Sequence, residues 1–189
     1  MSSKTVKVKQ KQQRRERLKG CWTIWHIDNC VNRILEQRLT EIASFNKSQE
    51  FHDIFNALPS PLKLDVGDDY AVYRKGLTPL AIENSNSGQW ELVPESNSAF
   101  NLELFWECIN QMIVYEFFDH SELIGGVVIQ RRSEKNSILI WLLDGRQSSS
   151  VLKIGYKLKE KAPIGCTLHY TQHEHMIWSG SAALPIYSL

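Results

Sequence analysis

Four side chains near the C-terminal end have the chemistry of metal ligands: Cys166, His169, His173 and His175. A thiolate and imidazoles hold zinc only when their spacing lets them converge. Here the spacing fits no common zinc module, and on an alternating strand Cys166 and His169 point to opposite faces. His173 and His175 read as solvated loop side chains, so no metal is expected. Two acid pairs, Asp68-Asp69 and Asp119 with Glu122, have the composition of a general acid and base. Both stand where turns routinely collect acids. The chain has no glycine-rich phosphate loop, no Gly-x-Ser-x-Gly and no His-Glu-x-x-His. Neither an enzyme nor a cofactor is expected.

The other chemistry is electrostatic. The 189 residues carry a net charge of +1, which hides an asymmetry. Residues 1–20 hold Lys4, Lys7, Lys9, Lys11, Arg14, Arg15, Arg17 and Lys19 against Glu16 alone. So charged and apolar-poor a stretch does not bury enough surface to offset its ordering entropy. It reads as a solvated, disordered arm that attracts nucleic-acid phosphates or serves as a nuclear address. Residues 21–189 then form one domain, long enough for a real core. No apolar run approaches the ~18 residues of a membrane-spanning helix, so no membrane partner is expected. The basic N-terminus lacks the apolar segment of a secretory signal. The four cysteines, without a Cys-x-x-Cys pair, read as thiols of an intracellular chain.

Hydrophobic period supplies the elements. Trp22, Ile24 and His26 alternate with Thr23, Trp25 and Ile27, which predicts a strand. Further strands are expected near 38–45, 70–73, 89–93, 123–130, 137–143, 164–171 and 184–187. Phe51, Ile54, Phe55 and Leu58 fall at helical spacing, stopped by Pro59 and Pro61. A second helix is expected from Asn101 through Phe117, with Leu102, Phe105, Ile109, Met112, Ile113 and Phe117 inward. Ser148-Ser149-Ser150 opens a third, closed by Pro163. About eight strands and three helices without regular βαβ alternation imply an α+β fold. Its sheet is curved and mainly antiparallel, with the helices on the convex face and the opposite face open for binding.

The marks stand in a familiar order. They are Cys21-Trp22-Thr23-Ile24-Trp25, Phe45, the helix Phe51 to Leu58, Asp69-Tyr70, Lys75-Gly76-Leu77-Thr78-Pro79 and Gly88-Gln89-Trp90. Then come Phe105-Trp106-Glu107, Gly125-Gly126-Val127-Val128, Arg131-Arg132, Ile138-Leu139-Ile140-Trp141, Ile154-Gly155 and Ser179-Gly180-Ser181. Over roughly residues 20–183 this resembles the eukaryotic translation initiation factor 4E family, the messenger-RNA cap-binding proteins. The resemblance implies a cupped sheet of about eight strands backed by three helices. It also implies a concave site where two tryptophans sandwich the cationic 7-methylguanine, a carboxylate reads its edge and basic side chains hold the triphosphate. Trp141 matches the tryptophan that contacts the methyl group and Arg132 the phosphate-binding arginine. Arg131 and Lys135 lie beside them.

Several positions depart from the family pattern. The first stacking tryptophan aligns with Leu35, the second with Ala81 and the carboxylate with Ile82; a one-residue slip offers Glu83 instead. Trp178 stands where a phosphate-binding lysine is common, and Trp178 or His26 would have to replace the missing rings. On the helical face, where the family binds scaffold or repressor proteins, the first-helix tryptophan aligns with His52. Glu107 and Gln111 replace apolar residues of the second helix, and Val114 is retained. The expectation is a monomeric, divergent family member that binds the mRNA 5′ end, cap or RNA in translation initiation or its regulation. It would act in the cytoplasm, also in the nucleus, with weakened cap affinity. The alternative is a protein–protein adaptor of the same fold that no longer binds the cap.

Overall fold

Alternation makes the sheet. In β1 (Arg17–Ile27), Trp22 and Ile24 join the main core under the helices, while Trp25 and Ile27 join a smaller cluster on the other side. The structure is a computed structural model that describes residues 17–29, 32–79, 86–94, 99–174 and 183–189, with backbone alone at 35 and 99–101. After β1 come β2 (Leu39–Lys47), α1 (Ser48–Ala57), β3 (Asp69–Arg74), β4 (Gly88–Pro94) and α2 (Ala99–Val114). They are followed by β5 (Ile124–Gln130), β6 (Ser137–Leu142), α3 (Ser148–Lys161), β7 (Cys166–Gln172) and β8 (Tyr187–Ser188). The eight strands form one sheet in the order β2-β1-β3-β5-β6-β4-β7-β8, each neighbouring pair antiparallel. Register shifts in β1 and at Ile124/Gly126 mark bulges, which bend a sheet.

The three helices share one face. Phe51 of α1, Phe105, Trp106, Ile109 and Ile113 of α2, and Val151, Ile154 and Leu158 of α3 pack with one parity of strand residues into a single buried cluster. The fold class is as expected, with two shifts at its edges. β1 begins at Arg17, four residues before the expected domain boundary: Arg17 pairs with Lys47, Leu18 packs on the core and Lys19 lies 3.3 Å from Glu116. Residues 1–16 of the expected arm lie outside the described residues. At the C-terminal end β8 is Tyr187–Ser188 rather than 184–187, and Leu184 is exposed.

The end of α2 corrects a second expectation. Phe117 is 62% exposed, not inward, and Phe118 is buried instead. The cause is local. Glu116 adopts φ 55, Phe117 N–H bonds Met112 C=O at 2.8 Å and Glu116 N–H bonds Ile113 C=O at 3.1 Å. That is a Schellman termination with glutamate in the left-handed position usually held by glycine. The turn swings Phe117 off the helix, and Arg74 and Lys19 hold the Glu116 carboxylate.

α3 sits unusually close to β4. A Cβ on Gly155 would lie 2.2 Å from Trp90 Cζ2, and Trp90 is buried and donates from Nε1 to Val151 C=O at 3.1 Å. The indole is thus wedged against the helix axis and cannot retreat. Gly155→Ala should therefore destabilise the protein by about 2–3 kcal/mol, opposite to the gain helix propensity alone gives. Chemical denaturation checks this; an unchanged or increased midpoint would contradict the packing described.

Candidate functional site

Pleat parity and register lay out the concave face in rows. Across the sheet, Thr23, Tyr73, Gly126, Trp141, Gln89 and Thr171 lie opposite one another. One pleat along run Trp25, Ala71, Val128, Leu139, Glu91 and His169, and one further Ile27, Asp69, Gln130 and Ser137. Ile27, Ala71, Tyr73, Val128 and Leu139 form a buried apolar floor, with Trp25, Leu39, Leu77 and Trp141 packed against it.

Arg132 stands at the far rim of this face. It follows Gln130, the last paired residue of β5, which lies four residues beyond Gly126, the partner of Trp141, so roughly 13 Å of strand lies between Trp141 and the strand end that Arg132 follows. Trp141 and Arg132 therefore belong to one face but to opposite ends of it. The Arg132 guanidinium is engaged by Asp69, Nη1 to Oδ1 at 2.5 Å and Nη2 to Oδ2 at 3.1 Å. Burial pushes the Asp69 carboxyl up from its ordinary range, and the guanidinium opposes that shift. Arg131 does not join Arg132. It follows the opposite parity and donates to Asn136 at 3.1 Å beside Pro61, Leu62 and Leu102, on the helical side. Lys135 is exposed in the β5–β6 turn. The Asp68-Asp69 pair is structural: Asp69 holds Arg132, and Asp68 accepts from Asn29 N–H and meets His26 Nε2 at 2.8 Å. His26 shares its register row with Tyr70 and Ile129 of the helix-side core, so it cannot replace a missing ring on the concave face.

Leu35 opens a short 3-10 turn, Leu35–Arg38, whose loop is closed by Asp28 N–H to Arg38 C=O at 3.0 Å and Arg38 Nε to Asp28 C=O at 2.6 Å. Its side chain lies outside the described residues, as do Ala81, Ile82, Glu83, His175 and Trp178. On the helical face, Glu107 and Gln111 are exposed on α2, as a partner surface requires. Val114 is not: it is fully buried, because its position on α2 turns it to the sheet. His52 is exposed and tied to the end of α2, its Nε2 at 3.2 Å from the Tyr115 hydroxyl. Glu107 lines a groove of about 270 Å³ with Phe55, Leu58, Pro59, Glu103 and Trp106.

The ring end of the concave face holds residues that sequence reasoning missed. Tyr73 meets Trp141 edge-on, ring centroids 6.0 Å apart, across Gly126. A Cβ there would lie 2.7 Å from the Tyr73 ring. Tyr73 is buried and its hydroxyl is held protonated by burial. His173 packs on Trp141 at 4.6 Å and is 1% exposed, not a solvated loop residue. Its Nδ1 lies 2.6 Å from Ser87 Oγ and its Nε2 3.4 Å from Gln89 Oε1. An amide oxygen only accepts, so Nε2 carries the proton and Nδ1 accepts from the serine hydroxyl. The signal available in the sequence was proximity to β7 alone. Among the described residues no cluster of three or more metal-ligating side chains occurs.

Burial lowers the His173 pKa from 6.5 to about 4. The folded protein thus refuses a proton that the unfolded chain accepts. Its contribution is complete above pH ~6.5 and is lost as pH falls toward ~4, by at most ~3 kcal/mol. His173→Gln, which keeps a donor and an acceptor, should flatten the pH dependence of unfolding free energy over that interval by up to one proton. Identical slopes for both proteins would contradict the buried neutral imidazole.

Comparison with known proteins agrees with this geometry. The family profile of eukaryotic initiation factor 4E matches residues 17–183. Drosophila melanogaster eukaryotic translation initiation factor 4E1 is 31% identical over 177 residues, covering 91% of this chain and 68% of that protein. Caenorhabditis elegans eukaryotic translation initiation factor 4E-1 is 30% identical, covering 83% and 80%. Among solved structures, Ascaris suum eIF4E-3 with the m7G cap superposes with TM-score 0.83 at 26% identity, covering 93% of this chain and 98% of that one. The complex of C. elegans eIF4E-3 with the 4E-binding protein Mextli and a cap analogue gives 0.81 at 27%, covering 93% and 99%. An eight-stranded sheet with three helices on one face, and this match across nearly the whole chain, make the protein a member of the eukaryotic initiation factor 4E family, a family of translation factors and not of enzymes.

Proposed function

We propose that this protein binds the 5′ end of mRNA on its concave face and a scaffold or repressor protein on its helical face, acting in translation initiation or its regulation. The observation that carries the reading is one concave face with Trp141 among rings at one end and Arg132 at the other. That is the arrangement a base followed by a phosphate chain requires. Of the two solved relatives compared above, one carries the m7G cap and the other a cap analogue together with a 4E-binding protein, which favours RNA and protein partners over an adaptor without RNA. Glu103 and Glu107 beside an apolar groove suit a partner segment that presents a cation next to apolar side chains. The protein works as a monomer in the cytoplasm, and the basic residues before Arg17 supply a nuclear address and nonspecific attraction to RNA.

Affinity for the cap itself is weakened. Leu35 and Ala81 stand at the positions of the two stacking tryptophans, and Ile82 at that of the carboxylate, with Glu83 one residue on. Each base–aromatic stack contributes roughly 1–3 kcal/mol, so losing two costs about two to four decades of affinity. Calorimetric titration with 7-methylguanosine triphosphate tests this. The double variant Leu35→Trp/Ala81→Trp should bind at least ~100-fold more tightly than the wild type and should prefer the methylated nucleotide. Micromolar or tighter, methyl-selective binding by the unmodified protein would contradict the proposal.

A further inference from the structure

We propose that Asp69 restrains the phosphate-binding arginine, holding Arg132 in one orientation while cancelling its charge, and so sets the affinity of the concave rim for a 5′-triphosphate or similar polyanion. The inference rests on the reading of Arg132 as a phosphate ligand. The pair is built into the fold rather than formed by two mobile side chains. Asp69 begins β3 with its side chain 10% exposed, and Arg132 follows the end of β5. Gly67 N–H bonds Arg131 C=O at 2.7 Å and Arg131 N–H bonds Asp68 C=O at 3.1 Å, so the two segments are clamped beside the contact. Gly67 has φ +107, and a Cβ there would lie 2.0 Å from the Asn29 side chain, so the clamp admits only glycine.

The hydrogen-bond inventory says what is left for a ligand. A guanidinium has five N–H groups. Nη1 is used by Asp69 Oδ1, Gly67 C=O at 3.2 Å and Arg131 C=O at 3.0 Å. Nη2 gives one hydrogen to Asp69 Oδ2. Among the described residues, Nε–H and the second Nη2 hydrogen meet no acceptor. These two lie along one edge of the guanidinium plane, the fork that takes two oxygens of a phosphate. A phosphate can therefore dock while Asp69 stays in place. It meets an oriented fork, but one whose charge is already neutralised by a carboxylate a few ångströms behind.

Removing the charge while keeping the shape separates the two effects. Asp69→Asn retains one acceptor for Nη1 and unmasks a unit of positive charge. Binding of inorganic triphosphate and of GTP is measured by calorimetry at several salt concentrations, with the fold of each variant checked by thermal melting. The expected result is about tenfold tighter binding and a log affinity–log salt slope steeper by about one. Adding Arg132→Gln to Asp69→Asn should abolish the gain. Asp69→Ser, which also keeps an acceptor and loses the charge, carries the same expectation should Asp69→Asn not fold. Weaker or unchanged binding by Asp69→Asn, with Arg132→Gln alone weakening the wild type, overturns the restraint and leaves the phosphate reading standing. If Arg132→Gln changes nothing and Asp69→Asn gains nothing, both fall.

Discussion

Successive side chains of a strand point to opposite faces, and in this sheet one face is filled by three helices. The candidates on the sheet inherit their places from that parity. Trp141 is concave because Ile140 is core; Arg132 is concave because Arg131 is not. The concave floor is itself apolar, so the sheet is sandwiched between a large core and a small one. A one-residue slip in β5 or β6 would exchange the two faces and remove the site altogether. Gly126 shows how tightly the arrangement is fixed, since it leaves room for the Tyr73 ring to reach Trp141.

Much of this was legible in residue order. Periodicity placed α1, α3 and most strands, because each carries a clean apolar face or alternation against Pro or Gly punctuation. What escaped depended on contacts distant in sequence. Arg17–Gly20 looked like solvated arm because its partners, Lys47 and Glu116, lie far along the chain. Phe117 looked inward because helical spacing continues through it; the left-handed turn at Glu116 is fixed by Arg74 and Lys19, which spacing does not reveal. Arg131 and Arg132 are adjacent in sequence and looked like one basic patch, yet the pleat divides them. His173 looked like a loop histidine, since only the fold brings Ser87, Gln89 and Trp141 around it.

The helical face shows the same contrast between inherited shape and altered chemistry. The exposed His52 ring is bonded to Tyr115 at the end of α2 rather than left for a partner. Val114, apolar as the family pattern asks, is sealed under α2. Three of the four lysines of α3 are engaged within the protein: Lys157 and Lys161 both pair with Glu160, and Lys159 caps Cys166 C=O and Leu189 C=O. What a partner meets on α2 is Glu103 and Glu107 over an apolar groove. Membership in the family thus fixes the architecture, and the residues at the two surfaces fix how strongly each ligand is held.

On the function proposed above, this cradle keeps the floor and the arginine of a cap binder, with Leu35 and Ala81 in place of the aromatic walls that read a methylated, cationic base. The decisive experiment compares one RNA sequence prepared with and without a 7-methylguanosine cap, bound to the intact protein at a single salt concentration. The expected capped-to-uncapped affinity ratio lies within about threefold of unity, because contacts to phosphate do not read base methylation. A ratio of ~100 or more in favour of the capped RNA would contradict it, since only stacking on a cation of that kind supplies such discrimination.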